Sequence, residues 1–255
     1  ADLLRAFPYA DTVTLPEGSG KDWVAYCENM GLISRQPQKL GDIIALQGSN
    51  ATLMTYYRNT IKHLFALPSL IASLFENKNS LQREKIVFLA NVASPYLQSE
   101  LFLKYQPDEV EGVVNQWIDL LIEKGLIFER EGRICRPEEG TDAMLRLRVL
   151  SRFIIQTLER YHIAIGILRK YGSGRISAAE LEEQSTLLAE RMSILFGLNA
   201  PEFFDKSLFR NFIANMQKNG VITTDDDGLL CYTEGLNEVA EDARLVLGVE
   251  KRQAI

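Results

Sequence analysis

Residues 109–137 read EVEGVVNQWIDLLIEKGLIFEREGRICRP. The stretch divides at Gly125. Before it lies a helical run that ends in Lys124; after it come a short apolar strand, a polar turn at Glu131-Gly132 and a second strand. Lysine followed by glycine suits a helix C-terminus, because glycine takes the left-handed conformation at little cost. Glu-Gly between two short strands suits a hairpin turn.

The same pattern occurs twice more. Upstream, a helix over Lys21–Met30 is followed by GLIS (Gly31–Ser34), GDIIAL (Gly41–Leu46) and a helix from Asn50. Downstream, KSLFRNFIANMQKNGVITTDDDGLLCYT (Lys206–Thr233) places Gly220 after Asn219 and bridges its strands with Asp225–Gly228. Gly31, Gly125 and Gly220 lie 94 and 95 residues apart, a near-constant spacing that marks a repeat. Helix, hairpin, helix is the layout of a winged-helix-like module. The expected fold is therefore mostly α, with three small β-hairpins, in modules at 1–80, 81–175 and 176–255. Cys135 and Cys231 fall at corresponding places on second strands and are read as small buried apolar residues.

Of 255 residues, 46% are hydrophobic and 24% charged, the profile of a globular protein. Three cysteines without a CxxC pair argue for a reducing compartment and against a zinc site, and no metal or cofactor is expected. The amino terminus shows no basic leader with an apolar run, and the first residue is alanine, so a fragment or processed product is expected. A net charge of −6 disfavours nucleic acid. The helix in the recognition position of the second module carries Asp108, Glu109, Glu111, Asp119 and Glu123 against Lys124, and the third wing holds three aspartates, so both would repel phosphate.

LMTYYRNTIKHLFALPSLIASLF (Leu53–Phe75) raises the question of a membrane. Its uninterrupted apolar part, Leu64–Phe75, falls short of the roughly 20 residues that span a bilayer. That leaves a buried helix or an interfacial one, kinked or ended at Pro68. Tyr56, Asn59 and His63 follow at steps of three and four. They read either as a hydrogen-bonded polar seam in a helical core or as a patch touching a headgroup or partner domain. Thr141–Tyr171 reads as one long basic helix. Arg148, Arg152, Glu159 and Lys170 share a face, which is either solvated or, at Arg148, Arg152 and Lys170, directed at an anionic membrane surface. A third helix over Leu236–Leu247 is short and acidic. There is no GxSxG, HExxH or GxxxxGK motif. Gly172–Arg175 reads as a helix stop and turn, and Glu182-Glu183 and Asp225–Asp227 as solvated carboxylates.

LGDIIAL (Leu40–Leu46), LMTYYRNTIKHLFALPSL (Leu53–Leu70), SELFLKY (Ser99–Tyr105) and LNAPEFFDKSLF (Leu198–Phe209) resemble, in order and spacing, the carboxy-terminal third of bacterial membrane-associated glycerol-3-phosphate acyltransferases. LLRAFPY (Leu3–Tyr9) resembles the entry to that region. The resemblance implies an enzyme that esterifies the first hydroxyl of glycerol 3-phosphate from acyl carrier protein or coenzyme A, yielding lysophosphatidate at the cytoplasmic face of the inner membrane in phospholipid synthesis. It also implies a catalytic histidine followed four residues later by an aspartate, and an arginine-containing phosphate block. His63 and His162 lack that aspartate, and the arginine block is absent. No catalytic residue carries over. The expected role is non-catalytic: bracing the acyltransferase domain of the same protein and helping to place it at the membrane. The rival readings are a stand-alone winged-helix scaffold or regulator, and a nucleic-acid-binding tandem.

Overall fold

A computed structural model of the chain describes residues 2–39, 41–46, 48–198, 200–233 and 236. The acidic helix expected over Leu236–Leu247 lies, except for Leu236, outside the described residues. Ten α-helices, one 3₁₀ turn and seven short strands make the described part mostly helical with small hairpins, as the repeat predicts. The chain forms two compact units, Ala1–Leu64 and Phe65–Ile255.

The first unit holds α1 (Asp2–Ala6), α2 (Gly20–Asn29), β1 (Ser34–Gln36), β2 (Ile43–Ala45) and α3 (Ser49–Thr60). A reciprocal cap starts α2: the Ser19 amide donates to Asp22 Oδ2 at 2.7 Å, and the Asp22 amide donates to Ser19 Oγ at 3.4 Å. Gly31, at φ +69°, ends it. β1 and β2 pair antiparallel with Arg35 opposite Ile44. Polar contacts stitch the unit together. Arg35 reaches Glu28 at 3.0 Å and Asp42 at 3.1 Å, and Asn50 Nδ2 donates to the Gly31 carbonyl at 2.8 Å.

α4 (Lys62–Leu74) is separate from α3, because the helix breaks at Ile61. Residues 66–75 are buried without exception, which identifies the apolar half of the Leu53–Phe75 stretch as core. Pro68 lies inside α4 and does not end it. Proline offers the Leu64 carbonyl no N–H, and burial on every side holds the helix through that missing bond. β3 (Ser80–Leu81), α5 (Arg83–Leu101), α6 (Val110–Glu123), β4 (Phe128–Arg130) and β5 (Arg133–Cys135) follow. α6 turns Val110, Val114, Trp117, Ile118 and Leu121 inward at helical spacing. The sheet order is β3-β5-β4, with Leu81 opposite Ile134 and Glu129 opposite Ile134 on its other side. Glu131 (φ +53°) and Gly132 (φ +71°) both take the left-handed conformation, the geometry of a tight primed turn.

The long basic helix is two helices, α7 (Asp142–Ser151) and α8 (Ile155–Tyr171). Between them the amides of Phe153 and Ile154 donate to the carbonyls three residues back. Ser151 Oγ donates to the Arg148 carbonyl at 2.8 Å and meets Glu76 Oε1 at 2.5 Å. Phe153 stacks on Phe65 with ring centroids 4.5 Å apart, and Ile154 is buried. Stacking the half-buried Phe153 and sinking Ile154 turns the chain at the cost of helical continuity.

α8 is followed by the Gly172–Arg175 turn, where the Gly174 amide donates to the Leu230 carbonyl at 2.8 Å. Then come α9 (Ala178–Leu195), the 3₁₀ turn Pro201–Phe204, α10 (Lys206–Lys218), β6 (Ile222–Thr224) and β7 (Leu230–Tyr232). Ser177 bridges to Leu229, so a one-residue edge lies beside β7 much as β3 lies beside β5. Helix, edge strand, two helices and hairpin thus occur twice in this unit. α8 packs on α9 and α10, and α10 also on α5. Cys135 and Cys231 do sit on second strands, but both are half-buried rather than enclosed.

Candidate functional site

Three places concentrate unusual chemistry or exposure, and the first is the surface of the first unit. Among its described residues only Leu4, Lys62 and Leu64 are buried; α2 and α3 bury nothing. Tyr26, Met30, Ile43, Ile44, Tyr56 and Tyr57 are all exposed. Tyr56 and Asn59 fall on α3, whereas His63 falls on α4 beyond the break at Ile61, so the three do not share one continuous helix. Tyr56 is 64% exposed and meets Tyr57 edge-on at 5.7 Å. Asn59 Oδ1 accepts from Arg58 Nη2 at 3.2 Å. His63, half-buried, packs edge-on against Tyr9 at 5.0 Å. The residues lie near the surface, outside any enclosed core.

The second place is the interior of the other unit. Arg160 is 2% exposed, and its guanidinium donates to Glu100, whose side chain is 13% exposed. Thr157 Oγ1 and the Tyr161 hydroxyl also donate to that carboxylate, at 3.1 and 3.0 Å. Burial, reinforced by the charge of Glu100, holds the Tyr161 phenol well above its ordinary range. Tyr161 is therefore a fixed hydrogen-bond donor at neutral pH and no general base. Its ring stacks on Phe212 at 4.3 Å, 6° from parallel. A pocket of about 150 Å³ opens beside the cluster, lined by Ser99, Glu100, Tyr161, Asn211 and Asn215, with Phe102 at its edge. With three donors on its carboxylate, the cluster braces α5 against α8. Glu159 and His162 are buried on the same helix, so α8 has no solvated charged face. In the sequence Arg160 counts only as one of the charges of the basic stretch Thr141–Tyr171, although a Glu-Arg pair inside the apolar run IIQTLERYHIAIGI (residues 154–167) is the signal of a buried ion pair.

Glu182 corrects another reading. It is buried and takes a forked contact from Arg210, through Nε at 2.9 Å and Nη2 at 2.8 Å, with Lys206 at 3.6 Å. The guanidinium holds its carboxyl below the usual glutamate range. Glu183 stays exposed, as do Asp225–Asp227. Asp225 Oδ1 organises the wing turn by accepting from the amides of Asp227 and Leu229.

The third place is basic. Arg148 and Arg152 are exposed on and just after α7, Arg148 pairing with Glu139 at 2.9 Å. Lys170 is not with them; it stands in the last turn of α8. There it lines an open groove of about 460 Å³ with Tyr171 and, from α9, Gln184, Leu187 and Arg191. No group of three or more His, Cys, Asp or Glu side chains that could hold a metal occurs among the described residues. No described helix is long and apolar enough to cross a membrane.

A family model described as the glycerol-3-phosphate acyltransferase C-terminal region matches residues 1–225. Proteins named glycerol-3-phosphate acyltransferase are similar to the chain over 254 residues, 99% of its length. Among them are one from Pseudomonas fluorescens strain Pf-5 at 45% identity, one from Pseudomonas syringae pv. syringae B728a at 44% and one from Pseudomonas aeruginosa UCBPP-PA14 at 43%. The chain spans 30% of the length of each of these relatives.

Proposed function

This chain belongs to the glycerol-3-phosphate acyltransferase C-terminal region family, and from that premise we propose that it is the non-catalytic carboxy-terminal part of such an enzyme. The activity proposed for the whole protein moves an acyl group from a thioester of acyl carrier protein or coenzyme A to the first hydroxyl of glycerol 3-phosphate, the hydroxyl proton leaving with the thiol. The proposed partners are the acyltransferase domain of the same protein, the acyl donor through that domain, and the cytoplasmic face of the inner membrane. Winged-helix-like modules at 1–80, 81–175 and 176–255 remain the proposed division, with β3 on the seam between the first two. The helix–strand–helix–helix–hairpin order seen twice supports a repeat, with the leading helices α4 and α8 falling before the proposed bounds.

One observation carries the bracing role: α2 and α3 bury no residue, while Tyr26, Ile43, Ile44, Tyr56 and Tyr57 stand exposed around them. Large apolar and aromatic side chains left exposed in this number on one small unit favour an interaction surface. The occupant we assign is the portion of the longer relatives that this chain does not span. The test is Ile44→Asp with Tyr56→Asp in the full-length protein, read as acyl transfer to radiolabelled glycerol 3-phosphate. Activity should fall at least 10-fold while the 255-residue chain carrying the same changes melts like its parent. Full activity in the doubly substituted enzyme would remove the reading.

A further inference from the structure

α9 divides its surface sharply. Leu181, Ser185, Ala189 and Met192 face the core at helical spacing. The other side carries Leu187, Arg191, Ile194 and Leu195, again at steps of three and four. Ile194 is 82% exposed and Leu195 74%, so the helix ends in an uncovered apolar tip. Beside this stripe runs the α8–α9 groove, with apolar walls from Ile167, Leu187 and Leu188. Lys170 and Arg191 line the same groove, and neither forms an ion pair among the described residues, unlike Arg148 with Glu139 or Arg210 with Glu182. Tyr171 and Gln184 add polar groups at the groove. Glu183 and Glu190 are also exposed, each four residues before a member of the stripe (Leu187 and Ile194), so the cationic character is confined to Lys170 and Arg191 at the groove.

We propose that the α8–α9 groove and the tip of α9 form a docking surface for an anionic phospholipid bilayer. Lys170 and Arg191 meet headgroup phosphates, and Ile194 and Leu195 enter the acyl boundary. A cation from α8 and one from α9 beside the exposed aliphatic tip of α9 is what an interfacial contact requires, since neither the charge nor one apolar pair alone retains a protein on lipid. The inference rests on the membrane placement proposed above and names the surface that performs it.

The test is flotation of the 255-residue chain with vesicles of phosphatidylglycerol and phosphatidylcholine, and with phosphatidylcholine alone, at low and high salt. The unsubstituted chain should float with the anionic vesicles at low salt and much less with the zwitterionic ones. Lys170→Glu/Arg191→Glu and, separately, Ile194→Asp/Leu195→Asp should each lower partitioning roughly 10-fold, with melting unchanged because all four side chains are exposed. Arg148→Glu/Arg152→Glu is the comparison and should bind like the parent. No flotation of the unsubstituted chain overturns both the membrane placement and this surface. Flotation that survives the groove and tip substitutions overturns this surface alone, and loss confined to the Arg148/Arg152 variant moves the contact to α7. Equal binding to zwitterionic vesicles removes the phosphate recognition.

Discussion

Glu182 and Glu100 illustrate why single charges are hard to read from a chain. Glu182-Glu183 looks like a solvated pair, yet the partner of Glu182 is Arg210, 28 residues away, and the partner of Glu100 is Arg160, 60 residues away. The apolar run around Arg160 marks it as buried, but neither partner is local: α5 and α8 bring Glu100 to Arg160, and α9 and α10 bring Glu182 to Arg210. The two pairs also differ in kind. Arg160 Nε and Nη1 are buried without a hydrogen-bond partner among the described residues, so that pair fixes geometry and offsets little of its own desolvation. Glu182 faces Arg210 at an accessible edge and titrates. Because its folded-state pKa is depressed, it adds stability above the ordinary glutamate pKa, and that contribution disappears as pH falls through the lower folded value. Glu182→Gln should therefore be less stable than the parent at neutral pH, with the two curves converging under acid conditions. Urea unfolding across that pH range checks it; a constant difference down to strong acid would assign the effect to packing.

At the scale of elements, punctuation was the legible part. Gly31, Gly125 and Gly220 all stop helices at positive φ, and every proposed hairpin forms. The helices behind the hairpins are shorter than periodicity alone predicts, because periodicity reports faces and is silent about a turn made by stacking Phe153 on Phe65 and burying Ile154. Phe102 is the element-level anomaly. It ends α5 in the left-handed conformation at φ +54° although it is not glycine, and it is 85% exposed. A β-carbon in that conformation costs about 1 kcal/mol, and so exposed a ring recovers little by burial. Phe102→Gly should raise stability by roughly 1 kcal/mol, or about 2–4 °C in melting temperature for a chain of this size. Calorimetry decides it; a lower melting temperature would show that the ring contributes more to the pocket edge than its exposure suggests.

Across the whole molecule the two units are built differently. Phe65–Ile255 closes around α8, which buries twelve of its side chains, whereas the first unit is joined by Arg35, Asn50 and Ser19 contacts over very little buried apolar surface. Local opening scales inversely with such burial. Limited trypsin treatment of the 255-residue chain should cut at Lys21, Arg35, Lys39 or Arg58 before any site within 110–232; a first cut inside α8–α10 would reverse the ranking. The sequence made the helical class and the placement of the hairpins readable, because glycine stops and strand alternation are local. It could not reveal which modules own a core, because that depends on surfaces brought together over long separations. The charged row inside α8 has a consequence for synthesis. A ribosome that has just made Glu100 needs roughly 3–12 seconds to reach Arg160 at 5–20 residues per second. During that delay α5 waits for its partner with a hydrated carboxylate at its end. When α8 emerges, Glu159, Arg160 and His162 interrupt its apolar surface, so a helix that buries twelve side chains in the finished fold still presents polar groups to water until it docks.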